Sequence, residues 1–197
     1  GHSAMEVLTT GATNTAVGYV SLDALTTGSN NTAVGWSSLG ATTTADDNTA
    51  VGKNSMLTNT EGYSNTAIGI YSLRQNTTGD SNVAVGQSAL LNNTTANENV
   101  AVGYNSAYNN TTGARIIALG TYAYENSDTE NDNIAIGYEA MHTNTAGGNT
   151  NVAVGNYSMA ALTSGDDNTA VGHLSMTALT EGLRNTGIGR MAMKSLT

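Results

Sequence analysis

Apolar and polar positions alternate along the chain in short bursts that return every 17 residues. The burst is Asn-Thr-Ala-Val-Gly at 14–18, repeated at 31–35, 48–52 and, with Ile for Val, 65–69. The residue before the glycine is Val, Ile or Leu throughout, from Val17 to Ile188. Two positions earlier stands Thr, Val or Ile, from Thr15 to Thr186. Alternation of this kind predicts a short strand, with these two columns on one face and the residue between them on the other. Free exchange of Thr49 and Thr66 for Val83, Val100, Ile117 and Ile134 predicts that the shared face points into the coil. The residue between is Ala16, Ala33, Ala50, Ala67, Ala84, Ala101, Ala118, Ala135, Ala153 and Ala170, and then Gly187. On an outward face so constant a small residue implies close approach of a second backbone. The Ala column is therefore the candidate oligomer interface.

After the glycine come two variable positions, then Ser or Ala (Ser21, Ser38, Ser55, Ala89), then Leu or Met in most repeats (Leu22, Leu39, Met56, Leu73, Leu90, Met141). This predicts a second short strand that supplies one large core residue per coil, with the glycine as the corner between strands. The remainder is a polar loop, commonly Asn-Thr-Thr-Gly as in 76–79 and 110–113. Gly28, Gly62, Gly79, Gly113, Gly165 and Gly182 are predicted to take a positive φ there. A Thr two residues earlier (Thr26, Thr60, Thr77, Thr94, Thr111) is replaced only by Asp128. Asn14, Asn31, Asn48, Asn65, Asn82 and Asn99 open the coils and Ile116 breaks the row. Stacked amides in that row are predicted to bond along the axis and to satisfy turn backbone.

The corner glycine recurs eleven times, with one extra residue between Gly137 and Gly155. A fixed period of this length marks a solenoid, each repeat being one coil on its neighbours. The expectation is an all-β, parallel β-solenoid (a β-roll) of eleven 17-residue coils forming one domain over residues 7–197. Gly1-His2-Ser3-Ala4-Met5 reads as a cloning scar, with residues 1–6 preceding the array. Thr9-Thr10-Gly11 and Thr197 stand in mid-repeat phases, as expected of a segment of a longer array.

The motif Asn-Thr-Ala-Val-Gly-x-x-Ser-Leu resembles the head repeats of YadA-like trimeric autotransporter adhesins. It is still more similar to the Asn-Thr-Ala-Val-Gly arrays of phage tail fibres and related bacterial surface proteins. The resemblance runs from about Val7 to Thr197. It implies a left-handed parallel β-roll, three chains to a homotrimer, and an extracellular place on a virion tail fibre or a bacterial cell surface. By that resemblance Thr15 and Val17 fall at inward strand positions, Ala16 at the outward small position and Gly18 at the corner. The adhesin coil is shorter, and the additional residues here fall in the Thr-Thr-Gly loop.

Composition narrows the functions. Phe, Pro and Cys are absent and Gly reaches 23, so the core is thin and built from small aliphatic groups. A net charge of −9 with six Lys and Arg leaves no basic footprint for nucleic acid or an anionic membrane. No apolar run approaches a membrane span. His2, His142 and His173 do not repeat in phase, and the glycines are structural, so neither a metal site, a cofactor loop nor an enzyme is expected. Acidic residues gather in one loop phase (Asp46, Asp47, Asp80, Glu98, Asp132, Asp166, Asp167), and Asp128, Glu130 and Asp132 share a loop. Calcium could use such carboxylates, but solvated charge accounts for them better. Tyr19, Trp36, Tyr104 and Tyr138 follow the corner glycine directly, and Tyr71, Tyr122 and Tyr157 come one residue later. These seven are the candidates for stacking on a host-surface glycan, against the plainer reading of packing between protomers or neighbouring side chains. The reading that results is an adhesive or structural fibre segment that extends and presents a surface for attachment. The alternatives are an ice- or water-ordering solenoid and a passive spacer.

Overall fold

A computed structural model describes residues 1–143 and 147–196. Residues 144–146, inside the repeat that carries the extra residue, and Thr197, whose phase places the last coil, lie outside the described residues. Among the described residues the chain forms eleven strands of three residues and no helix. One strand falls in each repeat, from β1 (Thr15–Val17) through β5 (Val83–Val85), β6 (Val100–Val102) and β9 (Val152–Val154) to β11 (Thr186–Ile188). They pair in parallel in sequence order as a single sheet. Each residue sits opposite its equivalent one repeat on: Thr15 opposite Thr32, Ala16 opposite Ala33, Val17 opposite Val34. The longer repeat keeps this register, with Ile134 opposite Val152. The architecture is the predicted all-β parallel solenoid.

The strand faces are the reverse of the expectation. Ala33, Ala50, Ala67, Ala84, Ala101, Ala118, Ala135, Ala153 and Ala170 are fully buried inside the coil, and Ala16 in the first coil is half-buried. The flanking columns look outward, with Val17 56%, Val102 39% and Ile188 71% exposed. The reason is the thinness of the interior. A Cβ added at Gly187 would lie 3.1 Å from Met176 Cγ and 3.2 Å from Ser175 Oγ, which belong to the opposite wall. Only a methyl group fits between strand and wall. The Ala column is core, and it does not offer a face to another chain.

That wall is not a second strand. It is a turn in which Leu22, Leu39, Met56, Leu73 and Leu90 are buried as predicted but carry φ near +50°. Left-handed backbone aims one large apolar side chain inward in most coils, with Ala107 in its place in one, and each fully buried Leu or Met contributes about 1.5–3 kcal/mol. The small residue before it also has a cross-core task. Ser55 Oγ donates to Ala67 O at 3.0 Å, Ser158 Oγ to Ala170 O at 3.1 Å and Ser175 Oγ to Gly187 O at 2.9 Å. Each hydroxyl ties the wall to the strand of the next coil.

The loop is fastened by side chains. Asn31 donates its backbone N–H to Asn14 Oδ1 at 2.9 Å, and its Nδ2 closes its own coil on Ala45 O at 2.7 Å. Asn48, Asn65 and Asn82 repeat both contacts one coil at a time. The predicted amide ladder is present, buried, and interrupted at Ile116. The Thr column has its own bond: Thr26, Thr60, Thr77, Thr94 and Thr163 each donate Oγ1 to the same carbonyl of the next coil, at 3.0–3.1 Å. Glycine is needed at the corner, where Gly35 has φ +139° and a Cβ would meet Gly52 O at 2.5 Å. The loop glycines do not take the predicted positive φ. Gly62 is small because a Cβ there would meet Gly79 O at 2.4 Å and Asn59 Oδ1 at 2.5 Å.

Candidate functional site

The first candidate surface is the outer face of the sheet. Its two columns run through all eleven strands and contain only Thr, Val, Ile and Leu, so no charge interrupts them in a chain of net charge −9. From the fifth to the ninth strand the Thr column becomes Val83, Val100, Ile117, Ile134 and Val152, facing outward and half-buried beside Val85, Val102, Leu119, Ile136 and Val154. With ~4.7 Å between neighbouring strands, ten spacings make the stripe about 47 Å long. An uncharged stripe of this length is the first candidate for an interaction surface.

The second surface is the aromatic column that follows the corner. Tyr104, Tyr122, Tyr138, Tyr157 and His173 form one edge-to-face row, with ring centroids 5.4, 6.0, 5.3 and 6.2 Å apart. The structure thus brings four of the seven glycan candidates together, and their rings are engaged with one another. The other three stand apart from the row. Tyr19 stacks on His2 at 5.6 Å, Trp36 carries Lys53 Nζ 4.9 Å above its ring, and Tyr71 lies under the Arg74 guanidinium at 5.4 Å. Tyr19, Trp36, Tyr104 and Tyr138 are exposed. The hydrogen bond from Tyr138 to Glu139, with desolvation, pushes the phenol up to about 12. Burial and the neighbouring Tyr104 raise Tyr122 as well.

The acidic loop column is a set of caps. Asp46 accepts the Ser29 N–H at 2.6 Å, Asp80 the Tyr63 N–H at 2.9 Å and Asp166 the Asn149 N–H at 2.8 Å. Ser29 and Asn97 cap the preceding coil in the same way. The local trio separates: Asp132 pairs with Arg115 at 2.6 Å, Asp128 accepts the Thr111 hydroxyl, and Glu130 is buried. The Glu130 carboxylate takes the N–H groups of Asp128, Thr129 and Gly147 at 2.9, 3.1 and 3.0 Å. The hydrogen bond from Arg115 holds Asp132 below its ordinary range, and the same contact raises Arg115. His142 meets Glu125 at 2.9 Å. Among the described residues no three His, Asp or Glu side chains gather as metal ligands, and no helix is long and apolar enough to cross a membrane.

Two further polar ladders escaped the sequence reading. Asn59, Asn76, Asn93 and Asn110 form a buried row bonded at 2.8, 2.9 and 3.1 Å. Gln75, Asn92, Asn109 and Asn126 form a more accessible one at 2.9, 3.1 and 3.1 Å. Both recur at the 17-residue period, so a column-by-column reading of the loop would have found them. No family model, no curated protein and no solved structure matches the chain.

Proposed function

We propose that this chain is a segment of an extracellular fibre, on a phage tail or a bacterial surface, that extends and presents a surface for attachment and has no catalytic task. In this proposal three copies pack in parallel as a homotrimer, with left-handed coils, through the outer faces of their strands. One observation carries the reading: the uncharged, outward double column along the whole sheet. A monomer leaves that stripe in water. A second copy offers the same stripe at the same ~4.7 Å repeat, so β-branched side chains of one chain meet spaces between those of the next at every coil. The interface therefore belongs to the Thr and Val columns rather than to Ala. The exposed rings of Tyr19, Trp36, Tyr104 and Tyr138 then form the outer surface that we propose meets a host glycan.

The outward Thr column also favours a second reading, a face that orders water or ice. Thr15, Thr32, Thr49 and Thr66 stand in line one coil apart, as such a face requires. Five consecutive apolar residues then interrupt the column, which favours association. Solution mass by light scattering decides between them. Three chains of 20.1 kDa give about 60 kDa, the expected result. A 20 kDa particle that adsorbs to ice would replace the fibre reading with the second.

A further inference from the structure

We propose that the cavity around Arg74 is a binding site for an acidic sugar, whose carboxylate pairs with the guanidinium. The cavity has a volume of 380 Å³ and is lined by Thr58, Arg74, Gln75, Thr77 and Thr94, from three successive coils. Arg74 is the one charged residue among the five. Its Nε is buried and has no hydrogen-bond partner, and Arg74 takes part in no ion pair among the described residues. A buried, unpartnered donor on a cation is costly and calls for an acceptor. Arg115 and Arg184 meet Asp side chains at 2.6 and 3.8 Å, and Arg190, which is also outside any ion pair among the described residues, is exposed to water, so Arg74 differs from the other three in having a buried Nε with no partner.

The chemistry of the acceptor follows from the walls. Tyr71 packs under the guanidinium, its ring centroid 5.4 Å from Cζ, in a cation–π contact. A planar fork suits a carboxylate, which it pairs through two parallel N–H···O bonds. The volume exceeds what a bare anion fills, since one water occupies about 30 Å³ in the liquid. The remaining lining is neutral and polar. Thr58, Thr77 and Thr94 spend their protons on carbonyls, Thr58 on Arg74 O at 2.9 Å and Thr77 on Thr94 O at 3.0 Å. Their oxygens are left as acceptors for ligand hydroxyls. Gln75 spends an Nε2 proton on Asn92 at 2.9 Å and keeps its Oε1 for the same use. A carboxylate on a hydroxyl-rich ring answers all of these groups at once. This gives a chemical class to the attachment part of the proposed function and does not depend on self-association.

The test is calorimetric titration of the intact protein with trigalacturonate and with sialyllactose. Neutral trigalactose, acetate and inorganic phosphate serve as comparison ligands, with R74Q and R74K alongside wild type. At least one carboxylated sugar is expected to bind at one site per chain, and to lose tenfold or more in R74Q. R74K, which keeps the charge without the fork, is expected to recover only part of the loss. Trigalactose is expected not to bind, and acetate and phosphate to bind more weakly than the sugar. The proposal is overturned if neither acidic sugar binds, if the neutral sugar or phosphate binds as tightly, or if R74Q binds like wild type with an unchanged circular dichroism spectrum. Mass measured on the same samples reports the oligomer separately, so a monomer that still binds would sink the trimer and leave this site standing.

Discussion

Among the described residues, thirty-five other than glycine have a positive φ, about three per coil, so this strain belongs to the repeat itself. The left-handed region costs an ordinary L-residue about 1–2 kcal/mol, and Asn tolerates it best. Thr150 is β-branched, exposed and at φ +57°, with Oγ1 donating to Asp167 at 2.6 Å. Asn30 stands in the same phase and makes the equivalent bond to Asp47 at 3.0 Å. Thr150→Asn is therefore expected to stabilise the protein by about 1 kcal/mol, read as a higher thermal midpoint. Asn65→Ala has the opposite sign. It strands the buried Asn82 N–H, at about 1–3 kcal/mol, and takes one of two donors from Asn48 Oδ1 and from the Gly79 carbonyl, which keep the residue-65 N–H and Asn76 Nδ2. Chemical denaturation should show a loss of about 1–3 kcal/mol, and a loss below about 0.5 would mean the ladder is ornamental. Tyr138 gives a pH prediction. Its folded pKa is raised, so the native state holds a proton that the unfolded chain releases, and this contribution is complete below pH 10 and lost as pH rises to about 12. In absorbance titration, Y138F is expected to remove the latest phenolate step, while loss of an early step would refute the Glu139 contact.

At the scale of the strand, two faces that differ by one residue have opposite tasks. Val100 looks outward and Ala101 inward, and both are central in the array. Val100→Glu is expected to keep the fold and divide the proposed trimer of about 60 kDa into chains of 20.1 kDa. Ala101→Glu is expected to unfold the coil, because a carboxylate would replace a methyl group in a closed interior. Light scattering with circular dichroism on both variants separates the outcomes, and dissociation of folded chains by Ala101→Glu would restore the interface the sequence implied. The period, the parallel register, the corner glycine and the Asn row were all legible because they are repeats. Which face points inward was not, since alternation shows that Thr15 and Ala16 diverge without saying which one is covered. Thickness decides it, and thickness comes from Ser175 and Met176 across the core. The turn that carries Leu22 looks like a strand in sequence, because a buried residue beside a small one gives the same pattern in either backbone. Arg74 lacked any signal in sequence, since its missing partner is a fact of three dimensions.

For the whole molecule, each coil touches only its neighbours, and stability is a sum of coil and interface contributions. Removing one complete coil should then shorten the rod without changing its kind. Deletion of 82–98 joins Ser81 to Asn99, which sets Val100 against Thr66, Gly103 against Gly69 and Asn110 beside Asn76. Every column keeps its chemistry, and the Asn row continues from Asn65 to Asn99. The expected product has the same circular dichroism spectrum and a cooperative transition at a lower temperature, because one coil and one interface are gone. Deletion of 82–99 removes one residue more and joins Ser81 directly to Val100. The strand must then either start one residue short, without its Asn, or slip by one. A slip would place Val100 and Val102 in a space that admits only a methyl group and Ala101 on the outside. This second protein is expected to lose its cooperative transition. The natural repeat between Gly137 and Gly155 shows where slack exists, because its extra residue falls outside the strand and Ile134 still meets Val152. If both deletions melt alike, the 17-residue coil is not the folding unit, and the strand face, the ladders and the proposed fibre would need another basis.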